Sequence, residues 1–263
     1  MRDMDLSNRT AYEDPGVVKG YVSEKELQPA ERTIWGILKD QLPLMKMLDI
    51  GVGAGRTALQ FGPRVKEYTG VDYSERMIKA CRDNLGQNAP NMSFMVCDAR
   101  SMGMFKDNTF DFVLFSFNGI DYMSHEDRAK ALREIRRVAK PGGYFCFSTH
   151  NILCIEKYLK ISLCFNPMRL LKIVQRYGEI KNLIRSHKGV QHIPYSVVRD
   201  GAEEFLLTTY YINPNEQIRE LKNMEFKNVR VFSEKTGDEI IDHSLLARMK
   251  QERWFYFLCA VDK

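Results

Sequence analysis

The sequence lacks several features that would assign a protein class directly. None of its apolar runs reaches about 18 residues, so no transmembrane helix is predicted. No apolar signal core follows the polar start Met1–Asp5, which favours a cytoplasmic protein. The six cysteines form no Cys-x-x-Cys pair and no histidine cluster accompanies them, so neither a disulfide framework nor a metal site is predicted. No internal repeat or low-complexity segment is present.

The composition is that of an ordinary globular protein, but its charge is unevenly spread. The 263 residues are 44% hydrophobic and 28% charged, which allows one large α/β domain or a domain with an insertion. The net charge is +5. Between Asn151 and Asp200 we count nine Lys or Arg against three acids, so the remainder is close to neutral. The excess of positive charge is therefore a property of one surface and not of the whole molecule.

A glycine-rich turn organises the chain. The apolar run 45–50 ends in Asp49-Ile50, and glycines follow at every second position, at Gly51, Gly53 and Gly55. A strand that turns abruptly into a helix needs such glycines, because the backbone bends sharply and lies close to a ligand. The pattern predicts a nucleotide-like ligand at the end of a parallel strand.

Strand and helix patterns alternate around this turn. Five apolar runs, at 45–50, 67–71, 92–97, 110–115 and 144–149, are typical of strands and are separated by apolar residues at helical spacing. These runs are too apolar for a one-sided sheet. We therefore predict an α/β fold with a parallel sheet covered on both faces.

The pattern changes after Asn151 and returns near the end of the chain. Two helices that mix apolar and basic residues are predicted at 152–165 and 168–186, and strands at 229–232 and 254–261. We predict an N-terminal arm or lid at residues 1–28 and a ligand-binding core at 29–150. A basic helical insertion that acts as a substrate lid is predicted at 151–207, and a segment that completes the sheet at 208–263.

Three acids stand at the ends of predicted strands. Asp49 precedes the glycines, Asp72 follows the second strand and Asp98 follows the third. In an open parallel sheet these ends face one crevice. There Asp72 is positioned to accept hydrogen bonds from ribose hydroxyls, and Asp98 from an adenine amino group. A dinucleotide is disfavoured, because its fingerprint needs Gly or Ala where this chain has Arg56.

At this point the sequence resembles the class I S-adenosylmethionine-dependent methyltransferases. The resemblance rests on Leu48–Gly55, Gly70–Ser74, Cys97–Ala99, Phe110–Val113 and Val138–Gly143. It implies a Rossmann-like, doubly wound, seven-stranded and mostly parallel sheet whose last strand, 254–261, is antiparallel. The implied cofactor is S-adenosyl-L-methionine, with Asp72 at the ribose, Asp98 and Ala99 at the adenine and the glycine turn at the methionine part. The full predicted cofactor set is Asp49, Gly51, Gly53, Gly55, Arg56, Asp72, Tyr73, Met77, Asp98, Ala99, Phe115 and Ser116.

The acceptor is expected beyond the fourth and fifth strands. Asn118, Asp121 and Tyr122 follow the fourth strand, and His150 ends the fifth. His150 and Asp121 are the candidate catalytic residues, with His150 as a base if the acceptor arrives protonated. Alternatively, Asp121 caps a helix and His150 only hydrogen-bonds a loop. Tyr12 and Tyr21 either contact the substrate as part of a lid or pack on the following helix.

The predicted activity is methyl transfer to a small-molecule acceptor by in-line displacement. Because the insertion is basic and amphipathic, a membrane-associated lipid or quinone acceptor stays open as an alternative. A non-catalytic cofactor-binding partner or sensor is the second alternative. Nucleic acid is not favoured, because no RNA-binding module is present. The sequence leaves the oligomeric state open.

Overall fold

The computed structural model describes residues 8, 10–86, 90–159, 166–201, 205 and 207–262. Helices and strands alternate through most of this range. The α-helices are α1 (Pro15–Ser23), α2 (Pro29–Leu38), α3 (Arg56–Phe61), α4 (Glu75–Leu85), α5 (His125–Val138), α6 (Pro167–Ser186) and α7 (Pro214–Asn223). The strands are β1 (Lys46–Ile50), β2 (Glu67–Asp72), β3 (Met92–Val96), β4 (Phe110–Phe115), β5 (Ala139–Asn151), β6 (Tyr195–Val198), β7 (Thr209–Ile212), β8 (Phe226–Ser233) and β9 (Trp254–Val261).

The strands form one mostly parallel sheet. Its first five strands lie in the order β3-β2-β1-β4-β5 and are all parallel. Strand β9 runs antiparallel to β5, and β8 runs antiparallel to β9. The strand order reverses between β1 and β4, where open α/β sheets bind ligands at the carboxyl ends of their strands. The predicted Rossmann-like fold with an antiparallel last strand is confirmed.

Alternating residues of the central strands pack on opposite faces of this sheet. Leu48 of β1 belongs to a core with α5, where Leu132 and Ile135 are fully buried. The preceding residue, Met47, belongs to the core on the other face, with Ile34 of α2. Both faces are therefore covered, as the unbroken apolar runs predicted.

Two features of the sheet differ from the prediction. The described sheet has nine strands and not seven, because the hairpin of β6 and β7 is added where β7 pairs with His150 and Asn151 at the end of β5. Strand β5 also begins earlier than predicted, at Ala139. Residues 141–143, which precede the predicted strand 144–149, lie within β5, where the register with β4 shifts and Gly142 has a φ of 75°.

The helical segment after β5 also differs from the prediction. Residues Ile152–Leu159 form a 3-10 helix and not the first half of an α-helix, and the rest of that predicted helix lies outside the described residues. The second predicted helix is α6, which Asn166 caps by accepting from the backbone N–H groups of Met168 and Arg169. Among the helices that the structure describes, none has the length and apolarity needed to cross a bilayer.

Candidate active site

The glycine turn has the backbone geometry that only glycine adopts easily. Gly51, Gly53 and Gly55 have φ values of 67°, 53° and 92°. A Cβ on Gly55 would lie 2.9 Å from the Cys81 sulfur, and one on Gly51 would lie 3.1 Å from the Phe115 ring. Positive φ therefore selects glycine at all three positions, and lack of space selects it in addition at Gly51 and Gly55. The turn leads directly into α3 and lies at the reversal point of the sheet.

A cleft of about 1080 Å³, including its mouth, opens beside this turn. It brings together most of the predicted site residues, namely Tyr12, Tyr21, Gly51, Gly53, Asp72, Tyr73, Met77, Asp98, Ala99, Phe115, Ser116 and Tyr122. The lining also includes residues that were not predicted, among them Arg100, Phe117 and Met123.

Asp72 is the buried carboxylate at the end of β2. It accepts hydrogen bonds from the backbone N–H groups of Gly53, at 3.0 Å, and Ser74, at 2.9 Å. Burial raises the pKa of Asp72 to about 6, although these bonds oppose the shift. A carboxylate offers about four acceptor positions. Asp72 therefore holds the glycine turn and keeps acceptor capacity for hydroxyl groups of a ligand in the cleft.

Asp98 lines the same cleft, but Arg100 occupies much of its carboxylate. The Arg100 side chain binds both oxygens, with N···O distances of 2.6–3.0 Å, and the Arg100 backbone N–H donates as well. Burial would raise the pKa of Asp98, yet these bonds outweigh it and lower the pKa. Arg100 also reaches Asp127 at the start of α5, at 3.2 Å. Asp98 is thus ionised and fixed in position, with fewer acceptor sites open than Asp72.

Asp49 lies beneath the glycine turn. Its carboxylate, 1% exposed, accepts hydrogen bonds from the hydroxyls of Thr57, at 2.5 Å, and Tyr68. Burial raises the pKa of Asp49 to about 7. Asp49 therefore anchors the first turn of α3 to β2, and it borders a smaller recess beside the main cleft. Gly55 borders neither space, because it faces Cys81.

Arg56 is held by a residue that sequence reasoning did not identify. Its guanidinium forms two bonds to Glu31 of α2, at 2.5 and 2.7 Å. Glu31 is 1% exposed and also accepts from the hydroxyls of Ser116 and Tyr256. The signal for Glu31 was its place three residues after Gln28 at the start of a helix, where it completes a capping box. Arg56 thus fixes the glycine turn to α2 and borders the smaller recess, not the main cleft.

Four tyrosines from different segments form an aromatic wall of the cleft. The Tyr12 ring lies 6.0 Å from Tyr21, 6.0 Å from Tyr73 and 5.5 Å from Tyr122, each measured between ring centroids. The side-chain amide of Asn8 donates to the backbone of Tyr122, at 3.0 Å, which ties the N-terminal arm to the cleft. The rings of Tyr12 and Tyr21 line the cleft and pack against each other, and their contact with a substrate stays a prediction.

The predicted acceptor residues Asn118, Asp121 and His150 are not among the residues that line the cleft. Asp121 is fully buried and is not among the residues that line the cleft, and its contact with substrate stays a prediction. It accepts from the backbone N–H and Nδ1 of His150, at 2.7 and 2.8 Å, from the Thr149 hydroxyl at 2.6 Å and from Arg128 at 2.7 Å. Arg128, also fully buried, was not predicted. Its position on α5 gave no signal beyond a helical pattern.

Comparisons with known proteins agree with this geometry. Residues 47–143 match the family model described as a methyltransferase domain. Over 104 residues the chain is 40% identical to the ubiquinone/menaquinone biosynthesis C-methyltransferase UbiE of Bordetella avium, covering 38% of this chain and 39% of that protein. Over 108 residues it is 36% identical to the uncharacterized methyltransferase YcgJ of Bacillus subtilis, covering 40% of each. The matches span about two fifths of the length of these curated relatives.

Solved structures share the fold over most of the chain. An S-adenosylmethionine-dependent methyltransferase from Mesorhizobium loti aligns with a TM-score of 0.59 at 14% identity, covering 88% of this chain and 97% of the other. The 1,6-didemethyltoxoflavin-N1-methyltransferase of Burkholderia thailandensis aligns with a TM-score of 0.56 at 14% identity, covering 94% and 88%. At this identity the likeness shows the fold alone. Together with the family match over residues 47–143, it confirms the predicted resemblance to S-adenosylmethionine-dependent methyltransferases, which are enzymes.

Proposed function

We propose that the protein transfers a methyl group from S-adenosyl-L-methionine to a small-molecule acceptor in the tyrosine-lined cleft. The observation that carries the proposal is the position of Asp72. Its buried carboxylate meets the glycine turn at the wall of a cleft that also has an aromatic side. A ribose needs a buried acceptor of this kind, and the methionine part of the cofactor needs close approach to a backbone without Cβ atoms.

The residues of the cleft fit this cofactor, although their contacts with it remain proposals. Asp72 would accept from the ribose hydroxyls, Asp98 and Ala99 would lie at the adenine, and Gly51 and Gly53 would lie at the methionine part. The other predicted cleft residues, Tyr73, Met77, Phe115 and Ser116, would complete its walls. When bound, S-adenosylmethionine supplies an activated methyl group. The protein then contributes mainly positioning and exclusion of water.

The acceptor would enter from the aromatic side of the cleft. Tyr12 and Tyr21 of the arm, with Tyr122, stand there, so we propose that residues 1–28 cover the bound molecules. We propose the same covering role for the insertion at 151–207, with residues 208–263 completing the sheet. The relative from Bordetella avium is named for ubiquinone and menaquinone biosynthesis, which supports a ring-shaped acceptor as one class to test first.

The test has two stages. Isothermal calorimetry with S-adenosylmethionine should show binding to the wild-type protein, and labelled cofactor incubated with metabolite pools should yield a methylated product by mass spectrometry. Binding together with a product supports the proposal. Binding without transfer to any acceptor would instead favour a non-catalytic binding partner or sensor, and the absence of binding would exclude the cofactor.

A second candidate is that the acceptor lies in an anionic membrane surface. It is favoured by the first turns of α6, where Met168, Leu171 and Val174 are 66%, 51% and 47% exposed along one side. The helix carries five basic residues and one acid. An apolar stripe with basic neighbours is typical of helices that lie in the headgroup region of anionic bilayers.

Vesicle co-sedimentation separates these candidates. The wild-type protein should sediment with phosphatidylserine-containing vesicles at low salt, and less with pure phosphatidylcholine. Leu171→Asp should reduce that binding by about tenfold or more, because burying a leucine contributes roughly 1.5–3 kcal/mol. Ile241→Asp is the matched control, since Ile241 is exposed elsewhere on the surface. Equal sedimentation of both variants would contradict membrane contact by α6.

A further inference from the structure

Arg100 lies two residues after Asp98 and lines the same cleft. Its Nε lies 2.9 Å from Oδ1 and 3.0 Å from Oδ2 of Asp98, and its Nη2 lies 2.6 Å from Oδ2. The Arg100 backbone N–H also donates to Oδ1, at 2.8 Å. A planar guanidinium that binds both oxygens fixes the orientation of a carboxylate as well as compensating its charge.

A second acid holds the Arg100 side chain in place. Nη1 of Arg100 lies 3.2 Å from Oδ2 of Asp127, in the first turn of α5. Asp127 also accepts from the Lys130 ammonium group, at 2.8 Å. Arg100 therefore links the segment after β3 to α5, and its guanidinium is oriented by carboxylates on two different elements.

Asp98 keeps acceptor capacity on the side of the cleft. A carboxylate offers about four acceptor positions, and the backbone N–H, Nε and Nη2 of Arg100 occupy about three of them. The Asp98 side chain is nevertheless 40% exposed, and it lines the cleft beside Ala99. An acceptor position is therefore left for a donor group on a ligand in the cleft.

The charges around Asp98 keep its carboxyl group ionised. Partial burial would raise the pKa of Asp98, but the bonds and the charge of Arg100 outweigh it and lower the pKa. Asp127 of α5 also faces Asp98, and its negative charge opposes the effect of Arg100. The neighbouring Cys97 thiol is neutral near pH 7, because burial raises its pKa to about 11. Without Arg100, burial and Asp127 would act together to raise the pKa of Asp98.

We infer that Arg100 is a positioning residue that sets the base preference of the cleft. It holds Asp98 as a hydrogen-bond acceptor, so that the cleft takes a purine with an amino group at carbon 6 and rejects one with a carbonyl group there. This inference rests on the proposed function, in which Asp98 lies at the adenine. An ionised carboxylate can only accept, so it pairs with the amino group of adenine and repels the carbonyl oxygen of hypoxanthine. A protonated carboxyl group would donate to that carbonyl, and the preference would be lost.

The test compares two ligands that differ at one position of the base. S-adenosylhomocysteine and S-inosylhomocysteine share the ribose and the amino-acid part, and carry at carbon 6 an amino group and a carbonyl group respectively. Isothermal calorimetry should show that the wild-type protein binds the adenosyl compound at least about tenfold more tightly, since hydrogen bonds to charged groups contribute about 10–150-fold in affinity. The titration of Asp72 affects both ligands alike, so it cancels in the ratio of the two Kd values.

The dependence of this ratio on pH separates the role of Arg100 from a merely structural one. Between pH 7.5 and pH 5 the ratio should change by less than about twofold in the wild type, but should fall at least about fivefold in Arg100→Met, where Asp98 takes up a proton. Asp98→Asn should abolish the preference at both pH values, because an amide can accept or donate. Arg133→Met is the matched control, since Arg133 is exposed on α5, and its ratio should equal that of the wild type.

Carboxyl NMR of carbon-13-labelled, ligand-free protein gives a readout without any ligand. The acid dissociation constant of Asp98 should fall at least about tenfold in Arg100→Met. If Arg100→Met does not fold, Arg100→Lys replaces it, because one ammonium group cannot bind both oxygens in a fixed fork, and the preference should then fall at least about threefold.

Two kinds of result would overturn the inference. One is similar affinity of the wild-type protein for both ligands. The other is a variant at Arg100 that keeps the wild-type ratio, its pH dependence and the dissociation constant of Asp98. If S-adenosylhomocysteine itself fails to bind the wild-type protein, the proposed function fails instead.

Discussion

Replacing Asp72 by asparagine should weaken S-adenosylmethionine binding and remove its dependence on pH. In the wild-type protein the carboxylate accepts from Gly53 and Ser74 and would also accept from the cofactor's ribose. Hydrogen bonds to charged groups contribute roughly 1.5–3 kcal/mol, which corresponds to a loss of about 10–150-fold in affinity. The asparagine side chain has one acceptor oxygen, and its amide group would face a backbone donor.

The pH dependence follows from the buried position of Asp72. Burial raises its pKa to about 6, so the fraction that is ionised falls to about one tenth at pH 5. Ribose hydroxyls donate best to the ionised form. The Kd of the wild-type protein should therefore rise about tenfold between pH 7.5 and pH 5, whereas that of Asp72→Asn should stay level.

Isothermal calorimetry at both pH values is the assay. Glu75→Gln is the matched control, because it removes the same charge from an exposed position at the start of α4. Asp98 should not interfere, since Arg100 keeps its pKa low. An affinity of Asp72→Asn equal to that of the wild type, or an equal pH dependence in both, would refute the assignment of Asp72 to the ribose.

Three further predictions concern residues that support the site. The wild-type protein should lose stability as pH rises through the raised pKa of Asp49, about 7, whereas Asp49→Asn has no such group to ionise. The free energy of unfolding of Asp49→Asn, relative to that of the wild type, should therefore be about 1–4 kcal/mol higher at pH 8 than at pH 5. Urea denaturation of both proteins at both pH values measures this difference. Arg128→Met should cost roughly 3–5 kcal/mol in the same assay by leaving a buried carboxylate without its partner, while the exposed Arg133→Met should change little. Gly55→Ala should lower the melting temperature more than Gly142→Ala. Gly55 and Gly142 both have positive φ, but of the two only Gly55 lacks space for a Cβ. Equal shifts in melting temperature would contradict this steric reason.

The central sheet and the cofactor side of the site could be predicted because their signals are local. Apolar runs identify β1 to β5, and the glycine spacing identifies the turn whose positive φ values the structure contains. Asp72 and Asp98 could be placed because parallel strands bring their carboxyl ends to one edge. Each of these inferences needs only a short stretch of sequence and the geometry of one motif.

The supporting contacts could not be predicted because they join distant segments. Glu31 and Arg56 are separated by 25 residues, and Arg128 and Gln217 by 89. A charged residue on a helix has the same local pattern whether it faces solvent or is fully buried, as Arg128 is. The hairpin of β6 and β7 was missed for a similar reason, since β6 is short and pairs only with β7 among the described strands.

The contacts of Glu31 have a consequence for how the protein is made. This one carboxylate joins α2, the glycine turn, the end of β4 and Tyr256 of β9, and Glu31 and Tyr256 are 225 residues apart. A chain emerging from the ribosome therefore cannot complete the base of the glycine turn until almost the whole sequence has been synthesised. Until then Glu31 has Arg56 and Ser116 as partners but lacks Tyr256, and long-range closure of this kind slows folding. We expect a nascent chain that stops before β9 to bind S-adenosylmethionine poorly, even though every residue of the main cleft is already present.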